Sequence, residues 1–415
     1  MNSVHTRVYE TLDEMEGLRS DWEELLAAFP GATTFSTLEW LVPWWRAFGD
    51  RRELLVLACF DTSAKLLGVV PLQISRRRLA SLLDLRVLGL WGDGSGDSDN
   101  LDIPVRPGSE ALVSEALLDF LEKESARWDF CEFHSMPADS PVAADLAVRL
   151  GERRWILRSG RQPTSAIPLP ETWEAYLRQL SSKERRKIAY YKRRLHKKYW
   201  TRFYRCEGLP ELPADLETLF SLHRKRWQFV GQPGNFASAA RRQFYYELAH
   251  LLANRRELEF WFLELDGETV AAQFGFRRGS TFFSLQEGFD PVYFADSVGY
   301  VLRSHVIEYL IAHGVRRYDF LEGEASSKTR WATQASHYLN LSFAPRSTLG
   351  SAYLRVIRSA SGSKEWLRKH VPANAWQMLH LLNTRIDRTG SNRLELRQRP
   401  LLDSLRKEPN PELKP

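Results

Sequence analysis

Between Gln286 and Trp331 the spacing of apolar residues changes from strand to helix and back again. Leu302, Val306, Tyr309 and Leu310 stand at i, i+4, i+7 and i+8, which is one face of a helix predicted over Tyr300–His313. Gly314 stands where that helix stops, and a strand, Tyr318–Leu321, follows. The helix entrance is Ser297, Val298, Gly299 and Tyr300. Unpaired N–H groups and the positive end of the helix dipole suit an anionic group there. An ordinary strand–helix–strand turn has the same spacing, so both readings stand.

Strand-length apolar blocks recur before this stretch. Leu54–Asp61, Leu66–Ser75, Val87–Leu90 and Trp128–Phe133 are predicted strands in the first half. Leu258–Leu265, Thr269–Arg277 and Thr281–Glu287 form a predicted meander in the second, with turns at Asp266–Gly267 and Arg278–Ser280. Helices are predicted at Leu12–Leu26, Leu38–Phe48, Ser109–Ala126, Trp173–Leu180, Leu216–Phe229 and Ala237–Ala253. Trp40, Trp44 and Trp45 on the second of these read as core. The loop WGDGSGDSDNLDIP carries Asp93, Asp97, Asp99 and Asp102. Its spacing is not that of a calcium loop, and it reads as a flexible acidic loop lining a cleft.

A length of 415 residues suits two domains and a tail. The division read here is 1–166, 167–350 and a basic helical tail, 351–415, with a mobile end. No apolar run reaches membrane length and the N-terminus is polar, so neither a transmembrane segment nor a secretion signal is expected. Trp366 and Trp376 in the basic tail leave peripheral membrane contact open. Three scattered cysteines, Cys59, Cys131 and Cys206, argue against a disulfide framework and a metal site, and suit the cytoplasm. Net charge is only +6, so its placement matters more than its size. Lys183–Arg205, read as a basic helix, holds eleven Lys and Arg against one acid, Glu184. Tyr190, Tyr191, Tyr199 and Trp200 interleave with them, a pattern that suits phosphate or simply a solvated helix face.

The two halves share an order of elements, and their ends align. Arg127-Trp128-Asp129-Phe130-Cys131-Glu132 matches Arg317-Tyr318-Asp319-Phe320-Leu321-Glu322. An antiparallel meander followed by a helix crossing to a parallel strand gives α/β mixed sheets, and two copies imply duplication. This layout resembles the tandem, duplicated GNAT-like acyl-CoA N-acyltransferase fold. More narrowly it resembles the CelD-like acetyltransferases associated with polysaccharide biosynthesis, which are related to the FemABX aminoacyltransferases. Phe35–Trp45, Val69–Leu72, Leu180–Arg194, Leu222–Trp227, Val270–Phe276, Gly288–Tyr293, Val298–Leu302 and Tyr318–Trp331 carry the resemblance. It implies an acyl-CoA co-substrate at Ser297–Tyr300, with no metal.

Acyl transfer to an amine needs a base to accept the ammonium proton and donors for the oxyanion. Asp319, Glu322, Glu324 and His223 are the candidate catalytic residues; salt bridges or caps are the plainer role for each. Arg185, Arg186, Arg226, Lys328 and Arg330 suit a phosphate or sugar-acid substrate. Three functions follow. The first is acyl transfer from acyl-CoA to an amino or hydroxyl group of a sugar, polysaccharide precursor or related metabolite. The second is FemABX-like transfer from an aminoacyl-tRNA held by Lys183–Arg205. The third is a non-catalytic scaffold in envelope polysaccharide assembly, which the single glycine at the helix entrance favours.

Overall fold

The computed structural model describes residues 4–79, 83–206, 208–323, 326–346 and 348–357. The chain divides into two compact units, Met1–Ser351 and Ala352–Pro415. The expectations placed on Glu324, on the basic helical tail beyond residue 357, and on Trp366 and Trp376 lie outside the described residues.

The first half runs β1 (His5–Tyr9), α1 (Leu12–Glu16), α2 (Arg19–Ala28), α3 (Leu38–Phe48), β2 (Glu53–Phe60), β3 (Leu66–Leu79), β4 (Leu83–Leu90), α4 (Glu110–Lys123), β5 (Phe130–Pro137), α5 (Pro141–Glu152) and β6 (Ile156–Pro168). The second runs α6 (Trp173–Gln179), α7 (Ser182–Lys198), β7 (Thr201–Arg205), α8 (Leu212–Phe229), α9 (Ala239–Asn254), β8 (Leu258–Leu265), β9 (Glu268–Arg278), β10 (Thr281–Phe289), α10 (Val298–Ala312), β11 (Arg317–Glu322), α11 (Ser326–Thr329) and β12 (Gln334–Ala344). Short polar side chains begin several helices. Thr172, Ser181 and Ser238 each accept a backbone N–H from the first turn of α6, α7 and α9.

Among the described residues the twelve strands join one sheet, ordered β1-β2-β3-β4-β5-β12-β6-β11-β10-β9-β8-β7. Four antiparallel strands and a parallel fifth occur in each half, β1–β5 and β7–β11. The sixth strands are exchanged: β6 pairs with β11, β12 pairs with β5, and β6 and β12 pair with each other from Ile156↔Ala344 to Ala166↔Gln334. This is a duplicated GNAT-like fold fused through the exchanged strands. The division at 166/167 falls inside β6, the strand that passes between halves.

One apolar core belongs to both halves. Phe35 packs on Phe276 and Phe283 at ring distances of 5.4 and 6.0 Å, and Trp40 packs on Phe244 at 5.2 Å. The aromatic α3 is therefore core, as its pattern predicts. The opposite face of the second half buries Val298, Leu302, Val306 and Leu310 of α10 with Ile188 and Leu195 of α7.

Several boundaries differ from the expectations. The basic segment is helical only to Lys198; Thr201–Arg205 is an edge strand on β8, because Thr and aromatics at alternating positions suit a pleated surface better than a helix. The helix placed at Tyr300–His313 begins at Val298. α5, β6 and β12 are not among the predicted elements; for β6 and β12 the reason is that they pair with strands of the other half. The acidic loop is not loose: Trp40 and Trp44 donate to Ser98 and Ser95 at 2.9 Å, and Arg241 and Tyr245 bind Asp97 at 2.8 and 3.1 Å.

Candidate active site

The second parallel pair holds only Thr281↔Arg317, Phe282↔Tyr318 and Phe283↔Asp319, and then parts. Two local features open it. β10 bulges between Ser284 and Gln286. On β11, Leu321 takes a left-handed φ of 59°, and Asp319 holds that bend by accepting the Leu321 N–H at 2.8 Å while binding Arg317 at 2.9 Å. In the first half β4 and β5 pair through Phe130, Cys131 and Glu132. By the aligned motif, these correspond to Phe320, Leu321 and Glu322, which are already splayed. By this motif the second pair parts three positions earlier than the first, which ends at Gly89↔Glu132.

Charged groups line the open split. Arg303, from the second turn of α10, binds Glu287 of β10 through Nε at 3.1 Å and through Nη2. Arg226, from α8, donates to the Glu287 carbonyl at 3.3 Å and lies 3.9 Å from its carboxylate. Burial pushes the Glu287 carboxyl up, but the two guanidiniums outweigh it and hold the group below the usual carboxylate range. Behind them Gln273 donates to the Tyr318 hydroxyl at 2.7 Å. α8 reaches the strand because residue 288 is Gly: a Cβ there would stand 2.5 Å from the His223 N and 2.8 Å from the Leu222 carbonyl carbon. Gly288→Ala is expected to lower unfolding stability by about 1–3 kcal/mol, read as a lower urea midpoint at unchanged slope.

α7 lies across the α10 entrance. The Tyr300 hydroxyl donates to Glu184 at 2.8 Å, Lys187 sits 5.3 Å above the Tyr300 ring, and that ring lies 4.6 Å from Trp331. Burial and the hydrogen bond and charge of Glu184 push the Tyr300 phenol up, opposed by the Arg330 charge. A Cβ on Gly299 would meet only Phe289, at 3.7 Å, so the entrance has room. Ser297, just before it, is left-handed with φ 52°.

The acidic loop enters from the first half. Asp99 accepts the Glu322 N–H at 3.0 Å, and Asn100 donates to the Tyr338 hydroxyl at 2.8 Å. Burial, with the Glu322 and Asp319 charges, pushes the Asp99 carboxyl up to about 7 against the Glu322 N–H and the Lys328 charge. Lys328 donates to the carbonyls of Phe320, Glu322 and Gly323 at 3.2, 2.8 and 2.9 Å. Its three N–H donors all have protein partners, so it ties down the strand end.

The structure brings Ser297–Tyr300, Arg226, Lys328, Arg330 and Glu322 to one region. His223 is elsewhere in character. It is buried, its Nε2 accepts from Trp227 at 2.8 Å, and its Nδ1 has no partner. Burial, with Arg226 and Arg241 adding, pushes it down to about 3, so it is neutral at neutral pH. Arg185 caps α6 by donating to the Leu180 carbonyl at 2.6 Å, and Arg186 is exposed on α7. The pattern reading missed Asp99, Glu287, Arg303 and Trp331 as site residues. Glu287 and Arg303 had a signal, since both lie in the stretch around the helix entrance; the 223-residue separation of Asp99 and Glu322 left none.

The GNAT acetyltransferase domain family matches residues 182–329. No curated protein matches the chain. Among solved structures the fold is similar to FemX, at 12% identity and a TM-score of 0.57, over 85% of this chain and 99% of that one. It is also similar to L-PGS from Bacillus licheniformis, at 13% identity and a TM-score of 0.47, over 82% and 96%. A tandem GNAT protein from the clavulanic acid biosynthesis pathway has 12% identity and a TM-score of 0.43, over 82% and 98%. The FemX likeness shows a shared fold.

Proposed function

We propose, from the match of residues 182–329 to the GNAT acetyltransferase domain family, that the second half takes an acyl-CoA at the α10 entrance and transfers the acyl group to an amine or hydroxyl. The observation that carries this is the open β10–β11 split, with a helix N-terminus and a basic helix at its mouth. The entrance fits a pyrophosphate. The first turn of α10 offers backbone N–H groups, Gly299 leaves space, and Lys187 and Arg330 add positive charge. Bound there, the co-substrate supplies an activated thioester. Asp99 takes the proton from the attacking group, because a carboxyl near pH 7 is matched to that task. As the new bond to the acyl carbon forms, the C–S bond breaks and coenzyme A leaves as the thiolate. The proton passes by way of Glu322, exposed beside Asp99, to water and from there to that thiolate. Asp319 and Lys328 hold the strand bend that keeps both in place.

The finer reading is a CelD-like enzyme acting on a sugar, polysaccharide precursor or related metabolite in the cytoplasm. Its support is the charge of the split, where Arg226 and Arg303 frame a polar, partly open floor. A second reading, transfer from a charged tRNA, rests on Lys183, Arg186, Arg193 and Lys197, which are exposed and make no ion pair among the described residues. Much of the remaining charge on α7 is already used, with Lys192 on Glu308, and Arg194 and Lys198 on Asp296.

Calorimetric titration with acetyl-CoA and with charged tRNA separates these readings. Heat with acetyl-CoA is expected, weakened at least about tenfold by Gly299→Trp, which fills the entrance. Unchanged binding by that variant removes the entrance from the site. Tight, salt-dependent binding of tRNA alone transfers the role to the second reading. No heat with either points to the scaffold.

A further inference from the structure

Beside the α10 entrance lies a surface that the described fold leaves uncovered. Val292 is 84% exposed, Phe294 51%, Phe229 59% and Val230 39%. They come from two segments held together. The Phe229 and Phe294 rings lie 5.7 Å apart, and Lys225 at the end of α8 binds Asp290 at 2.5 Å. Across the turn Pro291–Asp296, the residues Arg194, Lys198 and Tyr199 bind Asp296 at 2.7, 3.0 and 2.9 Å, and Tyr199 stacks edge-on to Tyr293 at 5.9 Å. The next residue, Trp200, is 63% exposed, and its backbone is clamped to Asp266 in both directions, at 2.7 and 2.9 Å. These apolar side chains therefore project from anchored backbone.

Their rim is basic. Arg193, Lys197 and Arg224 are exposed on α7 and α8 with no ion pair among the described residues, and Lys198 and Lys225 pair with Asp296 and Asp290. Asp266 and Glu268 are exposed acids near Tyr293, so cations still outnumber acids. Exposed apolar patches with a polar rim mark contact surfaces. A second copy of the chain would bring this rim against itself, because a two-fold contact pairs a surface with its own image. A nucleic acid would use ring faces for stacking, and the most exposed side chain, Val292, has none. A bilayer with anionic headgroups satisfies both parts: aromatic and aliphatic side chains enter at headgroup depth, and Lys and Arg meet phosphates.

We infer that this surface, Trp200, Phe229, Val230, Val292 and Phe294 with its basic rim, docks the chain peripherally on an anionic membrane. Ser297 is one residue past Asp296, so docking sets the α10 entrance at the membrane surface. The inference stands whichever donor the site takes.

Vesicle flotation of the full chain tests it. The chain is expected to float with vesicles of phosphatidylglycerol and phosphatidylcholine, less so at high salt, and not with phosphatidylcholine alone. The double variant Phe229→Asp/Phe294→Asp is expected to lower the bound fraction about tenfold or more, since it replaces two inserted rings with charges. Its thermal midpoint should match the parent, because both side chains are exposed. Three results overturn the proposal: no flotation of the parent with anionic vesicles, equal flotation of the double variant, or a concentration-dependent dimer that the double variant abolishes in the absence of any vesicle binding.

Discussion

Asp99→Asn is expected to lower kcat about a thousandfold while raising stability above neutral pH. The rate loss follows from the role proposed for this carboxyl, since general-base catalysis contributes on the order of 10²–10⁴. Asparagine still accepts the Glu322 N–H that Asp99 now accepts at 3.0 Å, so the local fold persists. The pH profile sharpens the test. Activity of the parent should rise as pH passes about 7, where Asp99 loses its proton, and that limb should vanish in the variant. The stability effect has the opposite sign. Unfolded, the carboxyl ionises near 3.8; folded, burial raises it to about 7. Between these values the native state binds the extra proton, so stability falls as pH rises through the window. Above it, holding the buried charge costs roughly 4 kcal/mol on the linkage relation, a cost the neutral amide avoids. Urea midpoints at pH 5 and pH 8 give the comparison: the difference between parent and variant should widen at the higher pH. A variant that keeps its rate and its pH limb moves the base to Glu322.

Arg303→Met should cost about 2–4 kcal/mol of unfolding stability and most of the activity. Arg303 and Glu287 are part-buried, with side chains 17% and 23% exposed. Removing one member of such a pair leaves the other charge uncompensated, which costs roughly 3–5 kcal/mol when burial is complete. The figure is reduced here because Arg226, 3.9 Å from the same carboxylate, retains part of the attraction. The double variant Glu287→Leu/Arg303→Met should recover only part of the loss, since it removes the Arg303–Glu287 pair but leaves Arg226 without the Glu287 carboxylate. A double-mutant cycle on urea midpoints reads the coupling, and near-additive losses would show that the pair is independent. Stability aside, neither variant should regain activity, because both change the charged floor of the split. With Glu287 held below the usual carboxylate range, the pair's stabilisation is present above the ordinary carboxylate range and is lost as pH falls through it.

The local pattern along the chain was a good guide where burial is decided by neighbours in sequence. Leu302, Val306 and Leu310 at helical spacing marked α10, and all three are buried on one face. The meander β8–β10 is legible from its strand-length apolar runs and from the turn at Asp266 and Gly267, both of which take positive φ. The duplicated motif at Asp129 and Asp319 announced the repeat. Patterns failed where the partner is remote. β6 and β12 were overlooked as exchanged strands because their apolar positions are covered by strands of the other half. His223 looked like a base because an isolated imidazole titrates near neutrality; packing under Gly288 and beside Phe236 removes that property.

For the site, the same division holds. Residue order alone determined that a helix would begin near Ser297 and that a separate segment, Lys183–Arg205, would be basic, since caps, dipole and charge density are local properties. Tertiary structure decided that α7 crosses that entrance through the Tyr300–Glu184 bond. It decided that β11 leaves β10 three motif positions earlier than β5 leaves β4, at a bend made by one left-handed residue, Leu321, and the carboxylate that holds it. It also decided that an aspartate from the first half sits against Glu322 in the second. A carboxyl acquires a proton affinity near neutral pH only from what surrounds it, and those surroundings exist only once the two halves have folded together.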